Sequence, residues 1–133
     1  MFARFSPHAQ AVVHLAEQEC RNASHYYLGT EHLLLAMVIA PPDDVLEHFA
    51  SIGAQPWEIK ARLRSAMDPP SEHPWEGVIL TPRVRRIFDA LSARQPADAS
   101  IEPVDLLRAM IADGGGVAAR VLATWTAPSA APR

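Results

Sequence analysis

Histidine and cysteine side chains are the groups in this sequence most able to carry out chemistry. The chain has six histidines and a single cysteine, Cys20. The histidines lack the His-Glu-x-x-His spacing that places two metal ligands on one helical face, so we expect no metal and no cofactor. Cys20 falls on a helical apolar stripe, without the accessible, electropositive setting that a nucleophilic cysteine requires. These residues predict that the protein is not an enzyme.

Hydroxyl side chains next to prolines indicate helix starts, which are places where an anion can bind. Ser6-Pro7 and Thr81-Pro82 each put a hydroxyl at the N-cap and a proline at the first helical position. Thr30 is the expected N-cap of another helix, with Glu31 in its first turn. Arg83 adds a cation beside Thr81, so this start offers both a hydroxyl and a positive charge to an anion.

The elements that position these residues form an internal repeat. Residues 5–13 align with residues 80–88, and residues 28–37 align with residues 101–110. Apolar residues recur at the three-and-four spacing of helices, and no segment shows the alternation of a strand. We therefore expect an all-α fold built from two copies of one helical unit.

The predicted boundaries follow from prolines, glycines and apolar periodicity. The first repeat spans residues 1–67, a proline-rich linker spans 68–79, a shortened second repeat spans 80–125, and a flexible tail spans 126–133. The first repeat has four predicted helices, whereas the second lacks the last one. We expect that loss to leave apolar surface on Leu106, Met110 and Val121, to be covered by the tail, by Trp125 or by a second copy of the protein.

Composition limits the classes of function. The chain has 133 residues, of which 49% are hydrophobic and 20% are charged, which fits one folded domain. The formal net charge of −3 gives no electrostatic basis for binding nucleic acid. Neither a signal peptide nor an apolar run long enough for a membrane span is visible, so we expect a cytoplasmic protein with no membrane partner.

Four short strings, in this order and spacing, make the sequence similar to a known family. They are residues 1–6 (MFARFS), 29–35 (GTEHLLL), 81–83 (TPR) and 116–122 (GVAARVL). Together they resemble the N-terminal repeat domain of ClpC-type unfoldase ATPases over about residues 1–125. The resemblance implies a pseudo-twofold bundle of two four-helix repeats. The ATPase modules of that family need a Gly-rich phosphate loop ending in lysine, and the one lysine here, Lys60, is in no such context.

The resemblance also implies a ligand. ClpC-type N-domains recognise adaptor proteins and substrates that carry phosphorylated arginine, and Ser6 and Glu31 match the family's hydroxyl and glutamate positions. Such a ligand needs a carboxylate for its guanidinium and helix N–H groups for its phosphoryl group. The alternative is that Ser6 is only an N-cap and Glu31 only favours the helix dipole.

The second repeat departs from the family pattern at the same positions. Val104 stands where the family has glutamate, and Glu102 and Pro103 replace the preceding glycine and threonine. Thr81 and Arg83 remain as possible anion ligands. The sequence therefore predicts at most a weaker second site.

Phe2 and Leu80 are candidates for a hydrophobic groove. The resemblance places them in the region where ClpC-type N-domains accept cyclic-peptide antibiotics, although related sequences often have an aromatic residue where this chain has Leu80. The alternative for Phe2 is packing in the core beside Phe5.

These observations predict a non-catalytic binding module of the Clp proteolytic system that recognises phosphoarginine-bearing proteins or adaptors. An alternative is a stand-alone decoy or accessory subunit. It would sequester adaptors or cyclic-peptide antibiotics, or dock on ClpC or ClpP, and it would need no intact phosphoarginine chemistry.

Overall fold

The computed structural model describes residues 4–70, 79–94 and 99–126. In these residues the chain forms seven helices and two very short strands: α1 (Pro7–Asn22), β1 (Tyr27–Leu28), α2 (Thr30–Ile39), α3 (Asp43–Ser51), α4 (Pro56–Ala66), β2 (Ile79–Leu80), α5 (Pro82–Arg94), α6 (Pro103–Asp113) and α7 (Val117–Thr126). The predicted all-α fold is confirmed, and up to residue 126 the described part of the second repeat has three helices where the first repeat has four. Phe2, most of the predicted linker and the predicted tail beyond residue 126 lie outside the described residues.

Local signals in the sequence set the helix starts. The Ser6 Oγ accepts a hydrogen bond from the Ala9 N–H at 3.1 Å, and the Thr81 Oγ1 accepts one from the Val84 N–H at 3.2 Å. Each hydroxyl therefore satisfies a helix N–H that has no intrahelical partner. After α3 the chain turns at Gly53, whose φ of +74° suits a residue without a side chain.

Short parallel pairings connect the two repeats, and the sequence did not predict them. Tyr27 pairs with Ile79 and Leu28 with Leu80, so the segment before α2 lies beside the segment before α5. Likewise, Phe5 forms a parallel bridge with Ile101, which joins the segment before α1 to the segment before α6. Each pairing brings together the starts of one helix from each repeat.

One hydrophobic cluster runs through both repeats and includes residues of all seven helices. Leu106, Met110 and Val121 belong to it and are buried within the single chain, so the missing helix leaves no apolar surface there for a second copy to cover, and Trp125 packs against the same cluster. The physical reason is that α6 packs against α1, α3, α5 and α7, while α7 packs against α2, α4 and α6. Neighbouring helices thus cover the faces that a fourth helix was expected to cover. Within the described ranges, no helix is long and apolar enough to cross a membrane.

Candidate functional site

The starts of α2, α5 and α7 surround a cleft of about 370 Å³, which we call the Glu31 cleft. Four of the sequence-predicted site residues line it, namely Thr30, Glu31, Thr81 and Arg83. The other lining residues are Tyr27, Gly29, Pro82, Arg86, Gly115, Gly116, Val117 and Arg120. The structure therefore brings residues of both repeats into one cleft.

Thr30 does not cap its own helix. The N-cap of α2 is Gly29, and the Thr30 Oγ1 instead accepts a hydrogen bond from the Ala118 N–H of α7 at 3.2 Å. The prediction that Thr30 is an N-cap was thus one residue off. Its hydroxyl fastens the start of α7 to the start of α2, which fixes one wall of the cleft.

Glu31 provides the acidic group of the cleft. Its side chain is only 6% exposed, and the carboxylate folds back over Gly29, where even a Cβ atom would collide with it. Burial raises the pKa of Glu31, while a hydrogen bond from its own backbone N–H and the positive charge of Arg120 act to lower it. A carboxylate that burial makes costly to ionise gains from a nearby cation.

Three arginines supply positive charge around this carboxylate. Arg83 forms an ion pair with Asp113, whose carboxylate also accepts the Gly115 N–H at 3.4 Å. A Cβ atom at Gly115 would contact the Arg83 guanidinium, so the guanidinium lies directly against the loop before α7. Arg86 and Arg120 are exposed and face the same cleft. The cleft thus combines a buried acid with exposed cations.

A chain of two buried histidines supports the start of α2. The Gly29 N–H donates to His32 Nδ1 at 3.0 Å, His32 Nε2 lies 2.8 Å from His25 Nδ1, and His25 Nε2 lies 2.9 Å from the Asp68 carbonyl oxygen. Since His32 Nδ1 accepts, we infer that its Nε2 carries the proton and donates to His25. Burial lowers the pKa of His32 to about 4. Both rings must stay neutral for this chain to persist.

Ser6 does not line the Glu31 cleft. Its N–H donates to the Ile101 carbonyl at 3.0 Å, so it lies beside the start of α6 rather than that of α2. The hypothesis of a single site formed by Ser6 and Glu31 within the first repeat therefore needs correction. Because the strand pairings join the two repeats, the start of α2, with Glu31, lies beside the start of α5, with Thr81. In the same way, the start of α1, with Ser6, lies beside the start of α6, with Glu102.

A second cleft, of about 460 Å³, lies at the α1 and α6 starts, and we call it the Asp44 cleft. Its lining residues are His8, Pro41, Pro42, Asp43, Asp44, Glu102 and Pro103. The Asp44 carboxylate accepts the Val104 N–H at 3.0 Å and the Val45 N–H at 2.8 Å. Pro103 has no N–H to donate. A carboxylate of the protein thus already occupies the place where an anion would bind.

Sequence reasoning missed Arg86, Arg120 and the Gly115-Gly116 pair as parts of the cleft. The spacing of three between Arg83 and Arg86 was a usable signal, because such residues lie on one face of a helix. Arg120 carried no local signal, since only the packing of α7 beside α2 brings it to the cleft.

The remaining chemical candidates have structural roles. Leu80 is partly buried, pairs with Leu28 and packs against the core. Cys20 is buried, its Sγ–H donates to the Tyr27 carbonyl oxygen at 2.9 Å, and burial raises its pKa to about 11. In the described parts of the chain, no three metal-ligating side chains are grouped as a metal site requires.

Comparisons with known proteins agree with this architecture. The family model "Clp repeat (R) N-terminal domain" matches residues 4–123. The protein "Negative regulator of genetic competence ClpC/MecB" of Bacillus subtilis is 30% identical over 124 residues, which are 92% of this chain and 15% of that protein. "Chaperone protein ClpB" of Oceanobacillus iheyensis is 29% identical over 92% of this chain and 15% of its own length.

Two solved structures share the fold. The N-domain of ClpV from Vibrio cholerae superimposes with a TM-score of 0.72 at 16% identity, covering 84% of this chain and 68% of that one. The N-terminal domain of ClpD from Arabidopsis thaliana gives a TM-score of 0.68 at 20% identity, covering 96% of this chain and 91% of that one.

The chain therefore belongs to the Clp repeat N-terminal domain family, whose members are substrate- and adaptor-binding modules of Clp ATPases. It spans about 15% of the length of the curated relatives named above.

Proposed function

We propose that the Glu31 cleft binds phosphoarginine displayed by marked proteins or by adaptors. The observation that carries this proposal is the convergence of one buried carboxylate, Glu31, with the exposed guanidinium groups of Arg86 and Arg120 in a single cleft. Phosphoarginine has the complementary pair of charges, a cationic guanidinium portion next to an anionic phosphoryl group.

Each part of the ligand has a partner in the cleft. The guanidinium portion binds the Glu31 carboxylate and, as a nearby cation, lowers the pKa of Glu31 toward that of an ordinary acid. The phosphoryl group binds Arg86, Arg120 and the positive end of the α5 helix dipole. Arg83 contributes less, because Asp113 already pairs with it.

The size of the effect is sufficient for selective binding. A hydrogen bond to a charged group contributes about 1.5–3 kcal/mol, so two or three of them separate marked from unmarked arginine by about a hundredfold or more. Free arginine lacks the phosphoryl contacts, and free phosphate lacks the contact with Glu31. Both should therefore bind far more weakly than phosphoarginine.

Calorimetric titration with phosphoarginine tests the proposal. We expect Glu31→Gln to weaken binding by about tenfold or more, because the amide keeps the shape of the side chain and removes its charge. Glu102→Gln is the matched control, since it removes a carboxylate from the Asp44 cleft, and it should leave the affinity unchanged. Equal affinities for phosphoarginine, arginine and phosphate would refute the proposal.

A further inference from the structure

A groove of about 550 Å³ lies between α4 and α7, and we call it the α4–α7 groove. Small and aliphatic residues form its floor, among them Ala61, Ser65 and Val121. The Ser65 hydroxyl donates to the Ala61 carbonyl oxygen at 3.2 Å, so it is turned back onto its own helix. Short side chains on both helices leave room for an extended peptide backbone.

The groove adjoins the Glu31 cleft. Val117 and Arg120 line both of them, because α7 begins at the cleft and its first turn faces α4. A peptide that places a modified side chain in the cleft therefore has a direct path along the groove for its neighbouring residues.

The charge of the groove selects the kind of residue that fits. Arg62 and Arg120 line it, and none of its described lining residues is acidic. The Arg62 guanidinium lies 5.4 Å from the ring centroid of Trp125, a cation–π contact that holds it at the groove. Two guanidinium groups line the α4–α7 groove beside otherwise uncharged residues, so the groove favours the binding of peptide side chains that carry carboxylates.

We propose that the α4–α7 groove binds acidic residues flanking the phosphoarginine in the same peptide. This inference rests on the proposed function, since it takes the occupant of the groove to be the chain that continues from the cleft. It assigns Arg62 a role in selecting the sequence around the modified residue, separate from the recognition of the modification itself.

Paired peptides test this selectivity on the full chain. One synthetic peptide carries phosphoarginine between glutamates, and the other carries it between glutamines. We expect the acidic peptide to bind about fivefold more tightly at low salt, and this preference to shrink to about twofold or less in Arg62→Gln, as for loss of one exposed ion pair. Arg64→Gln is the matched control, because Arg64 is exposed on α4 but does not line the groove. Free phosphoarginine should bind Arg62→Gln and the unaltered chain equally.

An unphosphorylated glutamate-rich peptide separates failure of this inference from failure of the proposed function. In NMR titrations we expect it to shift backbone amides of residues 61–66 and 117–124, and Arg62→Gln to reduce those shifts. If these shifts appear while phosphoarginine does not bind, the groove binds acidic peptides, but the proposed function fails and the assignment of the groove to residues flanking phosphoarginine fails with it. If phosphoarginine binds, but flanking charge has no effect and no groove amide shifts, the groove inference is overturned and the proposed function stands. If neither ligand binds, both are overturned.

Discussion

The Glu31 cleft and the Asp44 cleft occupy corresponding places in the two repeats but have opposite charge. Arginines surround one buried glutamate in the first, whereas the second is lined by three carboxylates and a histidine. At both clefts, a side chain three residues further along the helix accepts a hydrogen bond from the N-cap N–H. The Gly29 N–H donates to His32 in one, and the Glu102 N–H donates to Asp105 in the other. Duplication has thus kept the groups that hold the helix starts while the groups that face a ligand have diverged.

Asp44 shows how the divergence affects binding. Its carboxylate accepts the N–H groups of Val104 and Val45, so the protein supplies its own anion at the α6 start. In the Glu31 cleft the corresponding bridge is the neutral hydroxyl of Thr30, which accepts the Ala118 N–H. The neutral hydroxyl leaves the positive potential of the α7 start available to a ligand, whereas the Asp44 carboxylate cancels that of the α6 start.

The largest expected effect concerns stability in acid. The N–H at the start of α2 is capped by the histidine His32, whereas the N–H at the start of α6 is capped by the carboxylate of Asp105. Burial lowers the pKa of His32 to about 4 in the folded chain, below its ordinary value of 6.5, so the unfolded chain binds the proton more readily. The contribution of His32 to stability is therefore fully present above pH 6.5 and is lost as the pH drops from 6.5 to 4, by about 3 kcal/mol. Denaturant unfolding followed across this pH range measures the loss.

The variant His32→Asn isolates this contribution. Its side-chain oxygen can still accept the Gly29 N–H but does not titrate. We compare the slopes of stability against pH rather than the absolute stabilities, because the smaller side chain also leaves a gap beside His25. Identical slopes for the variant and the unaltered chain would show that His32 is not the acid-sensitive group.

The next largest effect concerns the affinity for phosphoarginine, which should depend on the positive charge of the Glu31 cleft. Arg120→Glu should weaken phosphoarginine binding by about thirtyfold, since it removes one charge-assisted hydrogen bond and adds repulsion. The offset of 73 residues between the aligned segments 28–37 and 101–110, extended along the chain, pairs Arg120 with Glu47 of α3. Glu47→Lys should change the affinity less than about twofold, because Glu47 lines neither cleft. Calorimetry on both variants makes the comparison. A loss of binding in Glu47→Lys as large as that in Arg120→Glu would contradict the assignment of the ligand to the Glu31 cleft.

The smallest effect concerns the space at the start of α7. A Cβ atom at Gly116 would collide with the Thr30 hydroxyl and the Arg83 side chain. We expect Gly116→Ala to cost about 1–3 kcal/mol of stability, the range for overpacking a closely packed position. Asp43 corresponds to Gly116 in the repeat and is exposed, so Asp43→Ala should be nearly neutral. Thermal unfolding of both variants tests the difference, and equal melting temperatures would contradict it.

Much of the fold was predictable because its signals are local. Ser6-Pro7, Thr81-Pro82 and Gly53 mark boundaries through groups that act within a few residues of themselves. The apolar stripe of α1 likewise identified the residues that are buried, Cys20 among them. The burial of Leu106, Met110 and Val121 was not predictable, since it depends on helices distant in sequence.

The candidate site was predictable only in part. The sequence selected Thr30, Glu31, Thr81 and Arg83, which the structure brings into one cleft. It grouped them incorrectly, however, because it assigned each site to a single repeat and so placed Ser6 with Glu31. Arg120 was missed because nothing near it in sequence indicates which helix it faces.

By itself, the sequence determined where each helix begins, which face is apolar and which residue types stand at the helix starts. These properties depend on side-chain chemistry and on hydrogen bonds within one turn. Only the tertiary structure decided which starts meet, because the pairings of Tyr27 with Ile79 and of Phe5 with Ile101 join backbone groups of different repeats. Backbone hydrogen bonding is common to all residue types, so the sequence at each strand did not reveal its partner.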